Sequence, residues 1–163
     1  MALDVGRHQL HERLRADPRV DVREQTNLRH VTPTDLGGPA PIVVADLSFI
    51  SLRTVLADLL ALVAPGGRLV ALVKPQFEAG RAEANRGRGV ISDPAVWRRV
   101  LGEVRDDVLS HGAAMMGAMV SPITGADGNV EFLVCVSTDA RQPSVDDAAL
   151  DALVAAAGPV HPS

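Results

Sequence analysis

Three charged residues end apolar runs that have the composition of buried parallel strands. Asp4 ends the run at residues 1–5, Asp46 ends the run at residues 42–46, and Lys74 follows the run at residues 68–73. Ligands of open parallel sheets bind beyond the carboxyl ends of the strands, and a charge there is costly unless it is exposed or paired. If adjacent strands carry Asp46 and Lys74, an acid and a base face one cleft.

Each of these residues also has a plain structural interpretation. An acid at the end of a strand can accept both hydroxyl hydrogens of a cofactor ribose, but Asp4 is equally explained as a helix cap or a loop carboxylate. Asp46 could cap a turn, and Lys74 could be solvated. Glu131 follows a turn and precedes an apolar run, so it could face solvent. No metal site is predicted, because the histidines lack a set of ligands at a suitable spacing.

The elements that must position these residues alternate between strand-like and helix-like patterns, which predicts an α/β fold with a mainly parallel sheet. Strands are predicted at residues 1–5, 20–22, 42–46, 68–73, 114–120 and 130–136, and the last two form an antiparallel hairpin. Helices are predicted at residues 8–17, 52–63 and 146–157 and from Pro94 to Gly112. Ser51 is the predicted cap of the second helix, and Pro75 keeps Lys74 extended.

The remaining segments are predicted to be turns, loops and a tail. Residues 65–67 form a turn, and residues 79–89 form a mobile basic loop that carries Arg81, Arg86 and Arg88. We expect one partial domain at residues 1–140. The tail at residues 141–163 is expected to be weakly helical and then frayed.

Composition limits the classes of function. The chain has 163 residues, of which 47% are hydrophobic, so it is long and apolar enough to fold around a core. A net charge of -4 disfavours a free-standing nucleic-acid binder, and 2% aromatic residues disfavour an aromatic platform for RNA. The single cysteine, Cys135, is predicted to be a core residue and suits a reducing cytoplasm. No signal peptide or membrane span is visible.

Five phrases in order resemble the TlyA family, the hemolysin-like branch of FtsJ-type RNA methyltransferases. The resemblance covers residues 1 to about 138. The phrases are Ala2-Leu3-Asp4-Val5-Gly6-x-x-Gln9-Leu10, Thr26-Asn27-Leu28-Arg29, Asp46-Leu47-Ser48-Phe49-Ile50-Ser51-Leu52, Leu72-Val73-Lys74-Pro75-Gln76-Phe77-Glu78 and Gly128-Asn129-x-Glu131-Phe132. The resemblance implies a Rossmann-like class I methyltransferase sheet that ends in an antiparallel hairpin and lacks its first strand.

The resemblance also implies a reaction. S-adenosylmethionine would donate a methyl group to the ribose 2′-oxygen of cytidines in ribosomal RNA. FtsJ-type enzymes use a Lys-Asp-Lys-Glu tetrad, and the matches imply Asp46, Lys74 and Glu131 as its last three members. Lys74 would accept or steer the hydroxyl proton, Asp46 would orient Lys74 beside the sulfonium methyl, and Glu131 would hold the lysine and the ribose.

The same resemblance implies the binding residues and partners. Asp4 and Asp46 would contact the cofactor, and Thr26 and Asn27 would lie near its adenine. The arginines of the basic loop, Arg81, Arg86 and Arg88, could meet RNA phosphates, or the loop could simply be solvated. The expected partner is ribosomal RNA or a ribosomal subunit, with no metal and no membrane.

Parts of the family pattern are not found in this sequence. The first lysine of the tetrad, the Gly-x-Ser-x-Gly-Gly cofactor loop and the amino-terminal RNA-binding domain have no match. We therefore expect weak cofactor binding and little activity from residues 1–163. Two alternatives stay open, a membrane-active hemolysin and a non-catalytic remnant that binds RNA. The absence of a basic amphipathic helix counts against the former.

Overall fold

The structure, a computed structural model, describes residues 1–80, 83 and 87–158. Within those residues six strands form two sheets, one of two strands and one of four. Helices and short helical turns connect the strands, which confirms the α/β fold predicted from the sequence. The predicted frayed end at residues 159–163 lies outside the described residues.

The two-stranded sheet pairs β1 (Ala2–Leu3) with β2 (Val22–Arg23) in parallel. Helix α1 (Glu12–Arg15) lies between them in the chain and is shorter than the helix predicted at residues 8–17. The reason is local. His8 has a left-handed backbone (φ 58°), and the ring of His11 caps the first turn, so the helix cannot begin earlier.

The four-stranded sheet has the strand order β3-β4-β6-β5. Its strands are β3 (Ala40–Ala45), β4 (Val63–Val73), β5 (Ala114–Val120) and β6 (Phe132–Ser137). β3 and β4 are parallel, whereas β6 is antiparallel to both of its neighbours, β4 and β5. Three strands therefore share one direction, which confirms the mostly parallel sheet and its antiparallel hairpin.

The predicted turn at residues 65–67 lies inside β4. Ala40 pairs with Val63 and Ile42 pairs with Arg68, so β4 bulges between these two pairs. A Cβ atom at Gly67 would lie 2.8 Å from the carbonyl oxygen of Pro41 on the neighbouring strand, and so only glycine allows this close approach.

Helices cover the sheet and form the core together with its strands. They are α2 (Leu52–Ala61), α3 (Pro75–Glu78), α4 (Pro94–Ser110) and α5 (Asp147–Ala157), and 3-10 turns occur at Leu28–His30, Pro33–Leu36 and Ala126–Gly128. Valines at helical spacing form an apolar stripe along α4, and Val100, Val104 and Val108 of this stripe are buried. None of the helices in the described ranges has both the length and the apolar character needed to cross a bilayer.

The centre of the core lies between α4 and the sheet. The rings of Trp97 and Phe132 are both fully buried and meet edge to face, with centroids 6.1 Å apart. The indole N–H of Trp97 donates to the carbonyl oxygen of Ile91 (2.8 Å), which satisfies its polar atom. Leu150 of α5 is fully buried in the same cluster. Cys135, predicted to be a core residue, is only half-buried.

An apolar groove lies between the two sheets. Its walls include Leu3 of β1, Leu28, most of β3 and Asp46, and its volume is about 370 Å³. The side chains of Ile42 and Val44 are 63% and 75% exposed, so the prediction of a buried strand here was wrong. β3 is an edge strand within the described residues, and an apolar sequence does not distinguish an edge strand from a central one.

Candidate active site

The carboxyl ends of β3 and β4 bring Asp46 and Lys74 together. The two strands are parallel and in register through Ala45 and Ala71, so the residues that follow them lie at the same edge of the sheet. Lys74 has an extended backbone (φ -111°, ψ 100°) immediately before Pro75, which opens α3. Proline disfavours the helical conformation in the residue before it, and this fixes Lys74 at the corner between strand and helix.

Lys74 lies between two carboxylates. Its Nζ is 2.7 Å from Asp46 Oδ1 and 3.9 Å from Glu131 Oε1. Lys74 is also the chain's only lysine, since every other basic residue counted with it is an arginine. The side chains of Lys74 and Glu131 are 12% and 7% exposed, whereas that of Asp46 is 65% exposed. The three residues thus form one site with a buried side and an open side.

Glu131 is held at the buried side by the hairpin and by a neighbouring amide. It precedes β6, and its carbonyl oxygen accepts from the backbone N–H of Ser121 across the hairpin (2.8 Å). Gln76 Nε2 donates to Glu131 Oε1 (3.4 Å). The solvent-facing alternative for Glu131 is therefore wrong, because its side chain points into the site and is buried.

One cation faces two carboxylates, so the charged groups of the site sum to one negative charge. Such a site favours a cationic ligand, which would balance the second carboxylate. Ser48 Oγ also accepts from Lys74 Nζ (3.4 Å). The buried side-chain oxygen of Gln76 has no hydrogen-bond partner within the described part of the chain. A buried acceptor of this kind can bind a hydroxyl or amino group of a ligand.

Two aromatic rings stand beside the site. Phe49 lies three residues after Asp46, has a left-handed backbone (φ 64°) and is 91% exposed. Its ring meets that of Phe77, with centroids 5.4 Å apart. A bulky residue at positive φ is strained, and such strain is concentrated at functional sites. No role is predicted for Phe49 from the sequence, because nothing in the sequence signals its exposure.

Of the residues predicted to bind a cofactor, Asp46 is part of the three-residue site, whereas Asp4, Thr26 and Asn27 lie close in the chain to Leu3 and Leu28, which line the groove. Asp4 Oδ1 accepts from the backbone N–H of Gly6 (2.6 Å), which is the loop-carboxylate arrangement. The backbone N–H of Thr26 donates to the Asp4 carbonyl oxygen (2.9 Å), and Asn27 caps the turn that begins at Leu28. Leu28 and Asp46 line the same groove, so the turn capped by Asn27 and the three-residue site border one space.

The predicted RNA-binding arginines are described only in part. Arg81 and Arg86 lie outside the described residues. Arg88 is exposed and has a left-handed backbone (φ 50°). Asn129, which is distant in the chain, fixes the end of this loop, because its side chain accepts from the N–H of Ile91 (3.0 Å) and donates to the carbonyl oxygen of Gly89 (2.9 Å).

Comparison with known proteins places this geometry in a family context. Residues 1–138 match the model of a family described as FtsJ-like methyltransferase. A protein of Mycobacterium tuberculosis named 16S/23S rRNA (cytidine-2′-O)-methyltransferase TlyA is 44% identical over 138 residues, which cover 85% of this chain and 51% of that protein. A Bacillus subtilis protein that carries the name rRNA methyltransferase YqxC is 46% identical over 134 residues, or 82% and 47% of the two chains.

Solved structures show the same architecture. A Streptococcus thermophilus protein described as a hemolysin superposes with a TM-score of 0.88 at 39% identity, over 96% of this chain and 56% of that one. A Lactococcus lactis protein with the same description superposes with a TM-score of 0.88 at 37% identity, over 95% of this chain and 74% of that one. This chain spans about half the length of the curated relatives it matches.

Proposed function

We propose, since this chain belongs to the FtsJ-like methyltransferase family, that its site methylates ribose 2′-hydroxyls of ribosomal RNA with S-adenosylmethionine as methyl donor. One observation carries the proposal. The chain's only lysine lies between the carboxylates of Asp46 and Glu131 at the carboxyl edge of the sheet. That arrangement can take up the proton of a hydroxyl group and can bind a cation beside it.

The described residues fit the methyl donor. S-adenosylmethionine supplies an electrophilic methyl group carried on a positively charged sulfur. The net negative charge of the site suits that cation, and the exposed carboxylate of Asp46 can lie close to it. The N–H of Gly6 binds Oδ1 of Asp4, and Oδ2 makes no hydrogen bond to the described residues, so it can accept from ribose hydroxyls. The apolar walls of the groove near Leu28, beside Thr26 and Asn27, suit an adenine ring.

On the acceptor side, Lys74 and its two carboxylates would handle the ribose hydroxyl. Lys74 Nζ donates to the 2′-oxygen and stabilises the negative charge that develops as its proton leaves. The hydroxyl proton would be taken up by the carboxylate of Asp46, directly or through Lys74, and S-adenosylmethionine would supply the methyl group that replaces it on the oxygen. Glu131 and Gln76 fix Lys74 in this geometry. By holding the ribose hydroxyl in place, these residues would supply acceleration through positioning.

Phe49 and Arg88 are the exposed residues that we assign to the RNA. The ring of Phe49, 91% exposed beside the site, can stack on a nucleobase. Arg88 can bind a phosphate, as can Arg81 and Arg86 of the same loop. We further propose that the acceptor nucleotide is a cytidine, as the name of the M. tuberculosis relative states for that protein. A protein with this substrate works in the cytoplasm.

The experiment incubates the purified chain, in molar excess, with ribosomal subunits and millimolar methyl-labelled S-adenosylmethionine, because weak cofactor binding is expected. The RNA is then hydrolysed with alkali. A 2′-O-methyl group blocks cleavage of the adjacent phosphodiester, so label in alkali-resistant dinucleotides supports the proposal. Label confined to mononucleotides would assign the methyl group to a base and reject ribose methylation. Boiled protein is the control.

A further inference from the structure

We propose that Glu78 is a positioning residue that holds Asp46 and Lys74 in register, an inference that rests on the function proposed above. Glu78 ends α3, and its side chain is only 2% exposed although it carries a carboxylate. A buried acid must be paired or hydrogen-bonded to be tolerated. Its partners lie 26 and 27 residues away in the chain, at the start of α2.

Both oxygens of Glu78 bind the amino-terminal end of α2. Oε2 accepts from the hydroxyl of Ser51 and Oε1 accepts from the backbone N–H of Leu52, each at 2.5 Å. Ser51, predicted to cap α2 with its own side chain, makes no such bond and donates to Glu78 instead. A carboxylate is favourable at a helix amino terminus because it binds unpaired N–H groups at the positive end of the helix dipole. Arg53 Nε, 3.6 Å away, adds a cation.

The contact between Glu78 and the start of α2 lies next to the site, and this position gives Glu78 a function beyond helix capping. One loop runs from Asp46 to Ser51, and the α3 corner runs from Lys74 to Glu78. Each segment begins at a site residue and ends at the Glu78 contact. The Asp46–Lys74 ion pair joins the first ends and Glu78 joins the second ends, so the two segments form a closed ring. The corner is stiff, since the Lys74 carbonyl oxygen accepts from the N–H groups of Phe77 and Glu78.

Loss of Glu78 should therefore loosen the loop that carries Asp46 and change the pairing of Lys74. The experiment uses the full chain labelled with ¹³C-lysine. Because Lys74 is the only lysine, the side chain gives a single set of signals, and its Cε shift reports on the pairing without any need for activity. Three variants are compared, Glu78→Ala, Glu78→Gln and Glu103→Gln. Glu103 is the matched control, since it also pairs with Arg53 (3.1 Å) but lies on α4.

We expect Glu78→Ala to move the Lys74 signal and to lower kcat about 100-fold, the loss that a misplacement of roughly 1 Å can cause. The KM for S-adenosylmethionine should change little. Glu78→Gln keeps the shape of the side chain and should change the Lys74 signal and kcat less than Glu78→Ala does. Glu103→Gln should change neither. If Glu78→Ala lowers the melting temperature but leaves the Lys74 signal and kcat unchanged, Glu78 only caps α2 and the proposal is wrong.

Two further outcomes are separable. If Glu78→Ala does not fold, Ser51→Ala and Glu78→Gln test the proposal instead. Each weakens the contact between Glu78 and α2 without leaving a cavity at the buried position of Glu78. An unmoved Lys74 signal in both would overturn the proposal. If the wild-type chain transfers no methyl group, the proposed function fails by itself, and the Lys74 signal still determines whether Glu78 positions the site.

Discussion

Gly125 is the residue whose substitution tests the packing of the site most sharply. A Cβ atom at this position would lie 2.1 Å from Glu131 Oε1 and 2.6 Å from its Cδ. Oε1 is the oxygen that faces both Lys74 (3.9 Å) and Gln76 (3.4 Å). The backbone of Gly125 does not have a positive φ, so alanine is tolerated by the main chain and the effect must come from the added methyl group.

The size of the effect follows from these distances. Ordinary van der Waals contact begins near 3.4 Å, so in Gly125→Ala the carboxylate must retreat by more than 1 Å from its place beside Lys74. We expect overpacking to cost about 1–3 kcal/mol of unfolding free energy. We also expect the single-turnover rate of methyl transfer to fall about 100-fold, as for other displacements of about 1 Å. Urea unfolding and the labelled-methyl assay measure these two quantities.

Gly117→Ala is the matched control. Gly117 lies in β5 of the same hairpin, and a Cβ atom there would have no heavy atom within 4 Å. Its rate should equal that of the wild type. Shortening the acid in the double variant Gly125→Ala, Glu131→Asp should recover the lost stability, since the overlap is removed. Wild-type rate and stability in Gly125→Ala would refute the placement of Glu131.

Three other predictions concern the surface. Phe49→Ala should leave stability within about 0.5 kcal/mol and weaken RNA binding in a filter assay about 5- to 150-fold, because one stacked base contributes about 1–3 kcal/mol; unchanged binding would exclude stacking. Hydrogen bonds from Arg105 and Arg98 hold the pKa of Asp147 below its ordinary value of 3.8, so this carboxylate stabilises the fold fully above that pH and loses its effect as the pH falls through the lowered pKa. Asp147→Asn should therefore lower the urea midpoint at pH 6, and the deficit should shrink below pH 3.8; a deficit that is constant with pH would contradict this ion pairing. Val44→Lys, on the exposed edge of β3, should reduce aggregation measured by light scattering, and an unchanged signal would show that this edge is not the site of association.

Much of the site could be predicted from the sequence because it depends on short segments. Asp46 and Lys74 each follow an apolar strand, and Pro75 fixes the backbone of Lys74, so their placement at one edge of the sheet follows from local rules. The valine stripe of α4 follows in the same way from a helical period.

Other features could not be predicted because they depend on tertiary contacts. The burial of Glu131 requires the hairpin register and the open space at Gly125. Ser51 has the residue type of a helix cap, yet an acid from a distant segment takes that role. The left-handed backbone of His8 shortens α1, and neither of the residues adjacent to His8 is a glycine or a proline. β3 is as apolar as a central strand, and only its neighbours decide that Val44 is exposed.

The central claim is that Asp46, Lys74 and Glu131 act as one unit on the ribose hydroxyl. The most direct measurement is a mutant cycle of single-turnover rates for Lys74→Met, Asp46→Asn, Glu131→Gln and their double variants, with label counted in alkali-resistant dinucleotides. Residues that act as a unit give non-additive losses. We predict that Lys74→Met lowers the rate at least about 100-fold and that adding either carboxylate substitution to it costs almost nothing more. Losses that multiply independently, or a wild-type rate in Lys74→Met, would contradict the claim.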